Sequence, residues 1–174
     1  MFLFEFIDAI YEFVETGGIV LQYIGGLILV MWLLILERIM YVNFAHKKLM
    51  KDTISNWKSR SDKSSWNAEQ IRQAMISRIS IPLNSTLPVI GALVALCPLL
   101  GLMGTVTGMI EVFDVMAISG SGNARSMASG VSKATIPTLA GMVGALSGVF
   151  ASTWLGRKSR RERVRIEQAL VLDH

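Results

Sequence analysis

Three long apolar stretches separated by polar, basic segments dominate the pattern along this chain. Gly17 to Leu36, GGIVLQYIGGLILVMWLLIL, has Gln22 as its one strongly polar side chain. At the α-helical rise its length is about 30 Å, the thickness of a bilayer's hydrocarbon core. A second stretch, Pro88 to Phe113, and a third, Lys133 to Trp154, are equally apolar but carry small residues at helical spacing. In the second, Gly91, Ala95, Pro98, Gly101, Thr105, Gly108 and Val112 recur every three to four positions. In the third, Ala134, Thr138, Gly141, Ala145, Gly148 and Ser152 do the same. The first stretch lacks such a stripe, and Leu27, Leu29, Met31, Trp32, Leu33 and Leu34 suit lipid contact, so it is expected outside the other two.

Small residues on a membrane helix let backbones approach closely. Each stripe therefore either packs one helix on another or, with its central hydroxyl, Thr105 or Thr138, lines a common passage. Pro98 removes the backbone bond to the carbonyl of Val94 and predicts a bend in mid-span. Thr107 points to a different side and reads as a packing or backbone-bonded hydroxyl.

The predicted fold is all-α: a polytopic membrane protein with three transmembrane helices and cytoplasmic helical extensions. Residues 1–16 form an amphipathic helix too short to span, with Leu3, Phe6, Ile7, Ile10, Phe13 and Val14 on one face and acidic residues on the other. It either lies on the outer membrane surface or packs on protein. Residues 17–36 are the first span, 37–86 a helical hairpin, 87–115 the second span, 116–131 an external loop, 132–155 the third span and 156–174 a basic helix. Within the hairpin the first helix runs on to about Trp57, Ser59 to Ser65 breaks the pattern, and Asn67 caps a helix with Ile71, Met75 and Ile79 on one face. In the last segment Lys158 with Glu162 and Arg163 with Glu167 are spaced for contacts one turn apart.

GLMGTVTGMIEVF (Gly101 to Phe113) and ATIPTLAGMVGALSGVF (Ala134 to Phe150) resemble the second and third membrane helices of the MotA/TolQ/ExbB proton-channel proteins, on the ExbB side of that family. The resemblance implies a pentamer around a central pore that encloses the membrane helices of an ExbD-like partner, whose aspartate carries protons. It puts Thr105 and Thr138 on the family's pore-facing threonines, with Gly101, Gly108, Ala134, Gly141, Ala145 and Gly148 on the same lining. It further implies work passed to a TonB-like protein for outer-membrane transport, with a TolQ-like role in envelope maintenance or a non-conducting scaffold as the alternatives. The family usually has a glutamate where this chain has Lys133. If Thr105 and Thr138 sit level on antiparallel helices, Glu111 and Lys133 reach similar depth off the pore face, so either they pair with each other or Lys133 snorkels to the headgroups.

The net charge of +4 lies mostly between Arg38 and Arg78 and after Leu155. By the positive-inside rule those segments are cytoplasmic, placing the N-terminus outside, in the periplasm of a bacterial inner membrane, and the C-terminus in the cytoplasm. The basic segments suit anionic lipid. Without aromatic platforms beside the bases they do not suit nucleic acid. The acidic start and the lack of a small-residue cleavage site identify the first span as a retained helix. GSGNARS lacks the Gly-Lys-Ser/Thr ending of a phosphate loop. Cys97 sits in an apolar helix as a small core residue, with no second cysteine to pair with.

The chain offers no nucleophile–base set, no metal-ligand spacing and no cofactor motif, so no enzymatic activity, metal or cofactor is expected. No carboxylate, histidine or lysine falls at mid-span either. Threonine hydroxyls are too weakly acidic to relay protons alone, so a partner must supply the titrating group.

Overall fold

The computed structural model describes residues 2–59, 66–119 and 124–170, and all of its regular structure is helical. The elements are α1 (Phe2–Met40), a π-helical stretch (Tyr41–Ala45), α2 (His46–Lys58), α3 (Trp66–Asn84), α4 (Leu87–Ser119) and α5 (Ala124–Ala169). Three helices are long and apolar enough to cross a membrane. The chain divides into two compact units, an apolar one from residues 1–32 and 92–149 and a basic one from residues 33–91 and 150–174.

In the apolar unit, α1 breaks at Gly18, whose φ of 68° and ψ of −165° lie outside the helical region and suit a residue without a Cβ. The break separates the N-terminal amphipathic segment from the first span. Its apolar face, Leu3, Phe6, Ile7, Ile10, Phe13 and Val14, lies outside the described side chains. Beyond the break Val20, Leu21, Ile24 and Met31 are buried, a stripe at helical period that turns toward α4 and α5. Leu29, Val30 and Trp32 remain exposed. Met31, expected at lipid, is instead fully buried beside Gly148, where the missing side chain leaves room for its thioether.

The loop expected over 116–131 is mostly helix. α4 runs on through Ser119 and α5 begins at Ala124, because alanine and serine next to a long established helix extend it at little cost.

In the basic unit, Trp57 from α2, Ala68, Ile76 and Ile79 from α3, and Ile166 and Leu170 near the end of α5 form one buried cluster, with Met50, Ile71 and Met75 packed on it. α3 starts at Trp66, so Asn67 lies inside the first turn and does not cap it. The break expected at Ser59 to Ser65 falls largely outside the described residues. Arg72 closes the C-terminal end of α5: its Nε donates to the carbonyl of Leu170 and its Nη2 to that of Glu167, 3.2 Å away. These are carbonyls that a helix end leaves without an amide partner.

Arg163 and Glu167 make their expected pair at 3.0 Å, but Lys158 does not meet Glu162. Its Nζ donates to Asn43 Oδ1 at 2.6 Å and lies 5.0 Å from the Trp154 ring centre, while Glu162 pairs with Arg165 at 3.0 Å. Asn43 lies in the π-helical stretch, whose extra residue per turn shifts the face it presents. His46, just beyond, is buried with both ring nitrogens lacking a hydrogen-bond partner, and its Nε2 is 3.9 Å from Glu162 Oε2. Burial lowers its pKa below the ordinary histidine value, with the Glu162 carboxylate opposing.

Candidate functional site: the seam between the second and third spans

α4 and α5 run antiparallel through the apolar unit and touch almost entirely through residues without bulk. A methyl built on Gly101 would lie 3.0 Å from the Cα of Thr138 and 3.1 Å from the carbonyl oxygen of Pro137. One on Gly108 would meet Ala134 Cβ at 2.6 Å, and one on Gly141 would meet the Cys97 carbonyl oxygen at 2.5 Å. The small stripes are therefore a backbone-to-backbone seam, the arrangement that lets helices associate where no hydrophobic force drives them together. Gly148 closes the same seam against Val94 and makes room for Met31.

This sorts the pore-lining expectations. Gly101, Ala134, Gly141 and Gly148 are buried within the protomer, and Gly108, half-buried, is pressed on Ala134. Thr105, Thr138 and Ala145 are half-buried at the margins of the seam and retain open surface. Gly104 belongs to the seam too, against the fully buried Pro137, while Gly144 packs against Ile28 of α1. A single small-residue stripe on each helix does not include these positions. Each of the two helices in fact has two neighbours, so glycines three residues off the stripe also lose their space.

The hydroxyl protons of the site have assigned acceptors. Thr138 Oγ1 donates across the seam to the carbonyl of Gly101 at 3.0 Å, and Thr105 Oγ1 donates within its own helix to Leu102 at 2.7 Å. The Gly101 carbonyl is also the one that α-helical geometry assigns to the amide of Thr105, so both threonines attach to one peptide group. With Gly101 opposite Thr138 and Gly108 opposite Ala134, Thr105 lies about 4 Å from the level of Thr138, toward the C-terminal end of α4, and the two are not level. Thr107 donates to Met103 and Gly104 at 3.1 and 3.0 Å, a hydroxyl absorbed by its own backbone. In this arrangement Thr105 and Thr138 present oxygen lone pairs: they accept a hydrogen bond from water or from a protonated acid.

Farther out, Lys133 Nζ lies 3.3 Å from Glu111 Oε2, an ion pair joining α4 and α5 beyond the threonines. Its side chains are 43% and 64% exposed, so most of the attraction is screened where water reaches it. Among the described residues no group of histidine, cysteine, aspartate and glutamate is placed to hold a metal ion.

A stretch of 57 residues is 49% identical to the biopolymer transport protein ExbB-like 1 of Synechocystis sp., covering 31% of this chain and 22% of that protein, so the match spans well under a third of the relative's length. The MotA/TolQ/ExbB proton channel family matches residues 35–168, which takes in the helical hairpin, both stripe-bearing spans and most of the final basic helix. With apolar helices of spanning length, two of them joined by a glycine seam with threonines at its margin, this chain belongs to the MotA/TolQ/ExbB proton channel family.

Proposed function

We propose that the chain is the channel and stator subunit of an ExbB-type complex in a bacterial inner membrane. With an ExbD-like partner it converts the proton-motive force into work passed to a TonB-like protein for outer-membrane transport. On this reading the subunit forms a homopentamer, its N-terminus is periplasmic and its C-terminus cytoplasmic, and it catalyses no covalent chemistry. The observation that carries the proposal is the state of the two threonines: half-open at the seam margin, with their protons held by backbone carbonyls.

The mechanism follows from that hydrogen-bond count. A partner's carboxylic acid, protonated, donates to the lone pairs of Thr105 or Thr138 and leaves the threonine protons where they are. Once the acid has lost its proton, the carboxylate needs donors, and a hydroxyl serves only by turning away from its carbonyl. Exchanging one such bond for another costs roughly 1 kcal/mol, small enough to follow each protonation event. The protonation state of the partner thereby changes how tightly its helix engages this wall.

The test replaces Thr105 and Thr138 together by valine, which keeps shape and removes both hydroxyls. In vesicles holding the complete complex, proton uptake driven by a pH step is expected to be abolished while the mass of the detergent-solubilised complex is unchanged. Full proton uptake by the double variant would refute the reading. The same mass measurement, with and without the neighbouring gene product, gives subunit number, and the identity of the co-purifying partner separates an ExbB from a TolQ role.

A further inference from the structure

We propose that the cavity between the start of α4 and the basic part of α5 binds the phosphate headgroup of an anionic phospholipid. The cavity has a volume of about 340 Å³. Leu87 and Pro88 form its apolar wall, Asn84 and Ser159 its polar floor, and Arg160 and Arg163 its cationic rim. The floor is fixed, because Ser159 Oγ, on a buried residue, donates to Asn84 Oδ1 at 2.8 Å. The rim is open: Arg160 has no partner among the described residues, and Arg163 gives only its Nε to Glu167, leaving its terminal amino groups for an anion.

The level of the cavity argues for a lipid. Six residues before Arg160, about 9 Å along the helix, Trp154 is half exposed with Lys158 over its ring, the pairing of an amphipathic aromatic and a cation that marks a headgroup layer. Leu87 and Pro88 open the apolar run of α4. An occupant must therefore set an apolar part on Leu87 and Pro88 and a phosphate on the arginines, whose planar fork matches phosphate oxygens. Gly156 keeps the cavity open, since a Cβ there would meet no atom within 4 Å.

The experiment titrates the purified full chain in neutral detergent with phosphatidylglycerol, phosphatidylcholine or inorganic phosphate and reads bound lipid by native mass spectrometry. Wild type is expected to retain phosphatidylglycerol in preference to phosphatidylcholine. Arg160→Gln with Arg163→Gln should weaken that retention about tenfold or more, as two charge-assisted bonds are lost. Gly156→Leu, which fills the cavity without changing charge, should do the same even where the arginine variant folds poorly. Arg157→Gln with Arg161→Gln removes equal charge outside the cavity and should leave retention within about twofold of wild type.

Equal retention by wild type, the Gly156→Leu protein and the arginine variant would overturn the proposal, as would an equal loss in the outside control. Displacement of the lipid by millimolar inorganic phosphate would assign the site to the free anion and overturn the lipid reading. Loss of a co-purifying acidic protein, instead of lipid, in Gly156→Leu would assign it to a partner chain and overturn it too. Lipid retention is read without proton flux, so its failure leaves the channel reading untouched.

Discussion

Replacing Gly141 by alanine tests whether the second and third spans are held by backbone contact. The added methyl would lie 2.5 Å from the Cys97 carbonyl oxygen and 3.3 Å from the Cα of Gly101, and both are main-chain atoms that no rotamer change can move. Overpacking of a close-packed site costs about 1–3 kcal/mol, and a rigid neighbour puts this position at the upper end. Alanine's better helix propensity returns about 1 kcal/mol, leaving a net cost of about 2 kcal/mol. Gly148 offers a graded comparison: its methyl would meet Val94 Cγ2 at 2.5 Å and Met31 Sδ at 2.6 Å, side-chain atoms that can yield, so about 0–1 kcal/mol is expected. Gly25, with nothing within 4 Å, should be neutral or slightly stabilised.

Cys97 reports on the seam directly, because it is the chain's single cysteine, is fully buried and carries the carbonyl that the new methyl strikes. In detergent, with a membrane-permeant maleimide and intact-mass readout, the labelling rate follows the fraction of molecules with the seam open. A cost of about 2 kcal/mol raises that fraction roughly 30-fold, with each 1.4 kcal/mol worth a factor of ten. Gly141→Ala should therefore label far faster than Gly148→Ala, and Gly25→Ala no faster than wild type. Equal rates for Gly141→Ala and Gly25→Ala would show that the spans are not joined where the structure joins them.

Charge reversal tests the outer pair. Glu111→Lys or Lys133→Glu alone brings like charges together and should lower thermal stability by up to about 1 kcal/mol at such exposure, while the double reversal should recover it; a double variant no better than the sum of its singles would refute the coupling. His46 sets an acid limit on the basic unit. Its pKa is depressed by burial in the folded state, so the unit is fully stable above the ordinary value of 6.5 and loses stability as pH falls through the lower folded value. Hydrogen-exchange protection across α2, corrected for the intrinsic pH dependence of exchange, should therefore fall on acidification, more so in Glu162→Gln and less in His46→Gln, and an identical acid profile in wild type and His46→Gln would sink this. Arg72→Met should fray the last turn of α5, raising amide exchange over residues 166–170 at least about tenfold for the loss of charge-assisted bonds to two carbonyls. Unchanged protection there would mean the cap contributes nothing.

Much of this architecture is legible in the sequence because membrane helices advertise themselves twice, through uninterrupted apolar length and through small residues at helical spacing. Both signals are local, and they predicted the three spanning helices and the faces carrying Gly101, Gly141 and Gly148. What stayed hidden depends on which helix meets which. That Gly104 rests on Pro137, and that Met31 inserts beside Gly148 instead of facing lipid, follows from the arrangement of three helices, and an apolar side chain reads the same in either place. Composition misled at 116–119 and 124–131, where small and polar residues read as a loop although they extend two long helices. The exchange of Glu162 for Asn43 as the partner of Lys158 was out of reach for another reason. It rests on a π-helical stretch that rotates Asn43 away from its α-helical direction, and single-residue shifts of that kind leave no periodic trace.

The tightness of the seam constrains the proposed proton path. Where Gly101 and Gly141 bring two backbones into contact, no space remains for a water molecule, so hydrated passage between α4 and α5 of one protomer is excluded by packing. The hydroxyls of Thr105 and Thr138 lie instead at the margin of that contact, one on each helix, and donate to the carbonyls of Leu102 and Gly101 respectively. A path that uses them must run along the outside of the helix pair, where one protomer supplies a single wall. On the proposed reading the remaining walls come from further copies of the chain and from a partner helix that brings the acid. A monomer reconstituted alone should therefore leave the vesicle membrane proton-tight, and proton leak through isolated monomers would contradict both the seam and the division of labour drawn from it.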